Sequence, residues 1–300
     1  MASLAHRTIT GMMSVVMVCL LSGVPPAQAA PLRVQILLSE RGGAYQEFSD
    51  ALRDALRGQQ VIVNVSDGNA AGDADLIVAV GMKSASAAVS VNKPVLDVFV
   101  PKAGYDKLEK PAGAVRSSAI YIDQPLERQV SLLVAALPQA RDIGVLYSAP
   151  PTGLSSLRRL LADRNLQLHE QAVGPDSTLF DALEIVLEKS DVLLVLPDIE
   201  IYNAGTIRNI LLASYRKQVP LVGISHSYVK AGALCAIYST PAQIAQQAAE
   251  AIRQFASSGK LPPSQYPKEF EVSVNEQVAR SLDLPIKDAE NLHGEVRRAQ

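Results

Sequence analysis

Asp75-Leu-Ile-Val-Ala-Val80 and Asp191-Val-Leu-Leu-Val-Leu196 decide the fold. Each is a short, unbroken apolar run opened by an aspartate and closed by a turn residue, Gly81 in the first and Pro197 in the second. Runs of this length without polar alternation read as strands buried on both faces. Burial on both faces needs helices on either side of a mainly parallel sheet, so the two runs imply α/β layering.

Upstream of the first run, Leu32–Leu38 reads as a strand, and Ser39–Ala44 as a loop with two glycines. In Tyr45–Arg57, Phe48, Leu52, Ala55 and Leu56 share one helical face. Val61–Val65 is a second strand. After Gly81 come an Ala-rich helix over Ser84–Val91 and strands at Pro94–Val100 and Ala119–Ile122. The stretch around Pro111 and Gly113 reads as looser chain.

The pattern then restarts. Pro125–Leu137 is helical with proline in its first turn, and strand alternates with helix from Ile143 to Ile224 around the second run. Ala233–Tyr238 is a further strand. Pro241–Ser257 is a long helix with Gly259 just past its end. Lys260–Tyr266 is a Pro-rich connection and Phe270–Val274 a short alternating strand. The fold expected is α/β, with two doubly wound, Rossmann-like lobes joined by a hinge. The expected division is 30–120 with 234–258 for the first lobe and 121–233 with 259–286 for the second. Crossings are placed near Ala119–Pro125, Ser225–Leu234 and Gly259–Pro263, and 287–300 reads as a frayed, charged tail.

Residues 1–29 read as a secretory signal peptide. Arg7 supplies a positive start, Met12–Val24 a short apolar run, and Ala27-Gln-Ala29 a cleavage site. Cys19 raises lipid anchoring, but Val18 stands where a lipid-attachment motif wants a small residue. The expected location is therefore the periplasm. Removing Arg7 leaves 27 basic against 30 acidic residues. No basic stripe with interleaved aromatics is present, which argues against a nucleic-acid partner. Cys235 is the one cysteine past the leader, so no internal disulfide can form.

In open α/β sheets ligands bind beyond the carboxyl ends of the strands. That rule nominates Ser39 and Arg41 after the first strand, and Gly81 and Ser84 after the third. In the second half it nominates Tyr147, Asp198, Tyr202 and Ser225, and Tyr238 at the end of the last clear strand. Gly81-Met-Lys-Ser84 reads either as an anion cradle or as an ordinary helix cap. Asp198 can receive an ammonium or hydroxyl, or cap the next helix. Tyr147 and Tyr202 read as apolar walls or as packing, and Arg41 as a carboxylate partner or a solvated side chain.

Enzyme signals are weak. Gly223-Ile-Ser-His-Ser227 approaches a nucleophile elbow but lacks the final glycine, and no helix is expected directly after it. Past the leader, His169, His226 and His293 show no metal-ligand spacing, and no phosphate-binding glycine motif is present. Neither cofactor nor metal is expected.

Ala74–Gly81, Leu137–Tyr147, Asp191–Asp198, Val219–Ser225, Val229–Leu234, Gly259–Pro263 and Phe270–Asn275, in that order and spacing, resemble the periplasmic substrate-binding proteins of ABC transporters that include tryptophan- and tyrosine-type binders. The resemblance implies a type I periplasmic-binding-protein architecture that closes on a small-molecule solute and presents it, as a monomer, to an ABC permease at the inner membrane. A sensory subunit for a membrane receptor is the alternative, and a secreted α/β hydrolase a more distant one. It also implies that the turn matching Gly81–Ser84 cradles a ligand carboxylate and that Asp198 and Ser225 lie in the cleft. The chain departs from that pattern at Ile199, where the family has asparagine, and at Ile244-Ala245, where it has Leu-Gly. It departs again at Ser239, where the family has an aspartate suited to an amino group.

Overall fold

The computed structural model describes residues 30–67, 72–109, 117–174 and 177–300. The leader reading with Cys19, and the stretch around Pro111 and Gly113, lie outside the described residues. The first sheet contains β1 (Leu32–Leu38), β2 (Val61–Asp67), β3 (Leu76–Val80), β4 (Val95–Val100) and β5 (Ser117–Tyr121). Their order is β2-β1-β3-β4-β5 and every pairing is parallel. Helices α1 (Gly43–Ala55), α2 (Met82–Ala88) and α3 (Lys102–Asp106) complete this half. As the unbroken run predicts, Leu76 through Val80 are each 0% exposed.

The second half runs α4 (Leu126–Ala136), β6 (Asp142–Tyr147), α5 (Leu154–Ala162), β7 (Gln167–Ala172), α6 (Leu179–Leu187), β8 (Val192–Leu194) and α7 (Ile207–Arg216). It continues with β9 (Leu221–Gly223), α8 (His226–Ala231), β10 (Cys235–Tyr238), α9 (Pro241–Ser258), β11 (Glu271–Val274), α10 (Glu276–Ser281) and α11 (Ala289–Arg298). The sheet order is β11-β10-β9-β8-β6-β7, with β11 alone antiparallel. This is the two-lobed α/β architecture expected.

The aspartates that open the two diagnostic runs do the same work in each lobe. Asp75 accepts from the Arg33 backbone N–H at 2.9 Å, joining the starts of β1 and β3. Asp191 accepts from the backbone N–H of Arg141 and Asp142 at 2.7 and 3.0 Å, joining the starts of β6 and β8. The Arg33 guanidinium also holds the Asp75 carboxyl below the usual carboxylate range, chiefly through its hydrogen bond.

Three features of the second half differ from the expectation. β10 pairs with β9 and β11, so the chain is still in the second sheet through Tyr238. The return to the first lobe comes with α9, whose Ile244, Ala248 and Ile252 pack in the first lobe's core beside Phe48 and Leu52 of α1. The third passage also falls later. Gln265 still pairs with β5, donating to Ala119 O at 2.8 Å, and Phe270 is the first residue of the segment in the second core. Finally, 287–300 is not frayed. Asp288 caps α11, and Leu292 and Val296 are both 0% exposed in the second core. The tail's high charge hid an i, i+4 apolar pair that another helix covers.

Local signals set several boundaries. Thr178 with Asp181 and Thr240 with Gln243 form capping boxes at α6 and α9. Gly259 closes α9 in the left-handed conformation.

Candidate functional site

All three passages between the lobes occur at carboxyl edges. β5 ends at Tyr121 and leads into α4; β10 ends at Tyr238 and leads into α9; the chain leaving Gln265 beside β5 enters β11 opposite Tyr238. The three connections therefore join the carboxyl ends of the two sheets.

On the first lobe, Gly42 and Gly81 both precede helices in nearly the same backbone conformation, φ 85 and ψ −176 for one, φ 87 and ψ 165 for the other. Side chains rarely adopt this region. At Gly81 a Cβ would also lie 2.7 Å from Ser39 Oγ and 2.8 Å from the Tyr45 hydroxyl. Glycine here lets Ser39 accept from the Ser84 backbone N–H at 3.0 Å, with the two hydroxyls 3.3 Å apart. Leu38, Ser39, Glu40, Arg41, Lys83 and Ser84 line a concavity of about 290 Å³ beside this contact. Ser39, Arg41, Gly81 and Ser84 are thus brought together as expected. The third N–H of α2, that of Ser84, goes to Ser39, so one of the free N–H groups at the helix start is met from the loop after β1.

On the second lobe, Asp198 is committed to the fold around it. Its carboxylate accepts from Ser148 N at 2.7 Å, Ser148 Oγ at 2.8 Å and Glu200 N at 3.1 Å. It ties the loop after β6 to the loop after β8, while neighbouring Ile199 stands 79% exposed. Tyr202 is 6% exposed in the core with Leu146 and Leu193, so it walls no open cleft; burial drives its hydroxyl pKa upward. Tyr147 directs its hydroxyl to Glu170 on edge strand β7 at 3.3 Å.

Ser225 is extended (φ −157, ψ 162), and its Oγ caps α8 by accepting from Tyr228 N. A helix therefore does begin directly after Gly223–Ser225, contrary to expectation, yet the serine lacks a strained elbow conformation. His226 turns away from it, its Nδ1 lying 3.0 Å from Ser273 Oγ. The Tyr238 hydroxyl meets the same Ser273 Oγ at 2.8 Å, with the His226 and Tyr238 rings 6.0 Å apart. No group of three metal-ligating side chains occurs among the described residues.

Sequence reading missed three groups. Ser273 lies in the antiparallel edge strand, where the carboxyl-end rule has no force. Asp123 follows β5 and was within that rule's reach. Its carboxylate accepts from Lys102 N at 2.6 Å, and burial raises its pKa despite that bond. The third is Arg128, which no local signal marks. Ser239, where an aspartate was expected, donates to Glu269 O at 2.6 Å and accepts from Gln124 at 2.8 Å, a hinge contact.

The sequence profile of the ABC transporter substrate binding protein family matches residues 47–293. The chain belongs to that family. Among solved structures, it is similar to a conserved domain protein from Vibrio cholerae at 22% identity, with a TM-score of 0.62 over 88% of this chain and 98% of the other. A tryptophan-bound ABC domain from Streptococcus pneumonia gives 18% identity and a TM-score of 0.64 over 87% and 98%. A ligand-free, open substrate-binding protein with adhesive properties from Clostridium difficile gives 18% and 0.65 over 87% and 97%. At these identities the likeness speaks for the fold. No curated protein matches the chain.

Proposed function

We propose that this chain is a periplasmic solute receptor that closes its lobes on a small molecule and presents it to an ABC permease. The observation that carries the reading is that all three lobe connections join carboxyl edges, one edge holding the Ser39–Ser84 concavity and the other the Ser148–Asp198 loops. Family membership supports transport, and the leader reading of Met1–Ala29 supports the periplasm. A solute touching both lobes in the closed form stabilises that form by its differential affinity. No residue has a catalytic role in this reading. The first lobe contributes Ser39, Arg41, Lys83 and Ser84. The second contributes Ser225, His226 and Tyr238, while Asp198 positions Ser148.

The test is a thermal-shift screen of the chain from Ala30 onward against amino acids, purines, small carboxylates and sugars. A solute at a hundred times its Kd adds about 2.7 kcal/mol of stability. A shift with one class identifies the ligand chemistry, and no shift with any class removes the receptor reading. With a ligand in hand, Asp198→Ala is expected to weaken binding roughly ten- to a hundredfold, the loss of about one charged hydrogen bond once the loops part. Unchanged affinity by titration calorimetry would take Asp198 out of the site.

A further inference from the structure

One buried cation reaches into the passages that join the lobes. Arg128, in the first turn of α4, is 5% exposed. Its Nη1 donates to Gln124 Oε1 at 2.7 Å and to Pro267 O at 3.1 Å. Its Nη2 donates to Lys268 O at 3.4 Å and to Gln300 Oε1 at 2.8 Å. All four acceptors are neutral, and the guanidinium lies over the Phe270 ring at 4.5 Å. Gln124 extends the network to the second passage by donating to Ser239 Oγ. Ser239 then reaches the third passage at Glu269 O.

The first lobe grips the same third passage from the other side. Gln247 of α9 is 5% exposed. Its Nε2 donates to Tyr266 O at 3.1 Å, and its Oε1 accepts from Lys268 N at 2.9 Å. The peptide groups around Pro267 are therefore held by a glutamine from one lobe and an arginine from the other. Proline already fixes its own φ. A segment clamped in this way cannot act as a slack tether. The Arg128 and Gln247 side chains are each 5% exposed, so a donor or acceptor of theirs that let go during closure would be left largely buried without a partner, and the clamp resists rotation beyond a set range.

We propose that Arg128 and Gln247 are positioning residues that set the angular range of lobe closure by gripping Tyr266–Lys268 from opposite lobes. The proposal rests on the reading that the lobes close on a solute. The experiment uses the chain from Ala30 onward carrying Glu47→Cys on α1 and Ser156→Cys on α5, both exposed positions, one in each lobe. Cys235 is buried and stays unlabelled. Spin labels at the two sites report the interlobe distance distribution by pulsed dipolar spectroscopy.

Without any ligand, Arg128→Met and Gln247→Leu are each expected to broaden that distribution roughly twofold, as a hinge with a wider range requires. Arg128→Lys keeps the charge but loses the planar fork, so it is expected to fall between wild type and Arg128→Met. Folded variants with lower melting temperatures but unchanged distributions would mean that the network only stabilises, and would overturn the proposal. If Arg128→Met does not fold, Gln247→Leu, on the other lobe, decides the question alone. The same labelled wild type is then read with the amino acids, purines, carboxylates and sugars of the screen. A distribution that none of them moves counts against the solute reading and leaves the ligand-free comparison of variants intact.

Discussion

Replacing Gly81 with alanine tests the geometry of the first-lobe edge most directly. Two costs add. The backbone at φ 87 and ψ 165 lies in a region that is nearly closed to side chains, at roughly 1–3 kcal/mol. The new methyl would also sit 2.7 Å from Ser39 Oγ and 2.8 Å from the Tyr45 hydroxyl. Tyr45 is held edge-on against Phe99 with centroids 5.8 Å apart, so Ser39 is the group that must give way. Moving it breaks the 3.0 Å bond from Ser84 N, a loss on the order of 1 kcal/mol. The sum is about 3 kcal/mol, which lowers Tm by roughly 6–12 °C for a protein of this size. Urea denaturation should show the midpoint falling with little change in m. Gly42→Ala is the matched control, because Gly42 has nearly the same backbone conformation but nothing within 4 Å of its Cβ direction. It should show only the backbone share. The reasoning is refuted if Gly81→Ala costs less than about 1 kcal/mol, or if the control costs as much.

Three further outcomes follow from packing and charge. Leu292→Ala should destabilise the protein by about 2–4 kcal/mol, because Leu292 is fully buried in the second core; a change of a few tenths in urea unfolding would mean that α11 does not dock. Asp123→Asn should raise stability at neutral pH. The folded pKa of Asp123 is raised above its unfolded value, chiefly by burial, so its contribution is fully present at low pH and is lost as pH climbs from the ordinary carboxylate range through the raised pKa. The variant's advantage in Tm should therefore vanish near pH ~4, and an advantage independent of pH would refute this assignment. In the chain from Ala30 onward, Cys235, 0% exposed and with its thiol pKa pushed up to about 12, should be silent to a thiol reagent in the native protein and titrate as one thiol in urea. Rapid native labelling would contradict the burial of β10.

The amino-acid sequence by itself determined the elements and their class. Leu76–Val80 and Val192–Leu196 had to be buried on both faces because they carry no polar residue to put in water. Thr178, Thr240 and Gly259 fixed helix ends because caps and left-handed closures act within a few residues. The carboxyl-end rule also put Ser39, Arg41, Gly81 and Ser84 at one edge, where they lie together, since parallel strands of one sheet place their ends together whatever their order.

Tertiary structure alone decided what depends on partners distant in the chain. Asp198 meets Ser148 across 50 residues and is thereby turned from a free carboxylate into a loop tie. Tyr202 became core rather than cleft wall because neighbouring elements close over it. β10 joined the second sheet through β9 and β11, a choice of neighbour that its own apolar pattern does not encode. Arg128 reads in sequence as one more charged residue near a helix start. It becomes the centre of the hinge because Gln300, 172 residues away, and the carbonyls around Pro267 are folded onto it. Local propensity acts over a few residues, whereas burial and hydrogen-bond pairing are properties of the assembled chain.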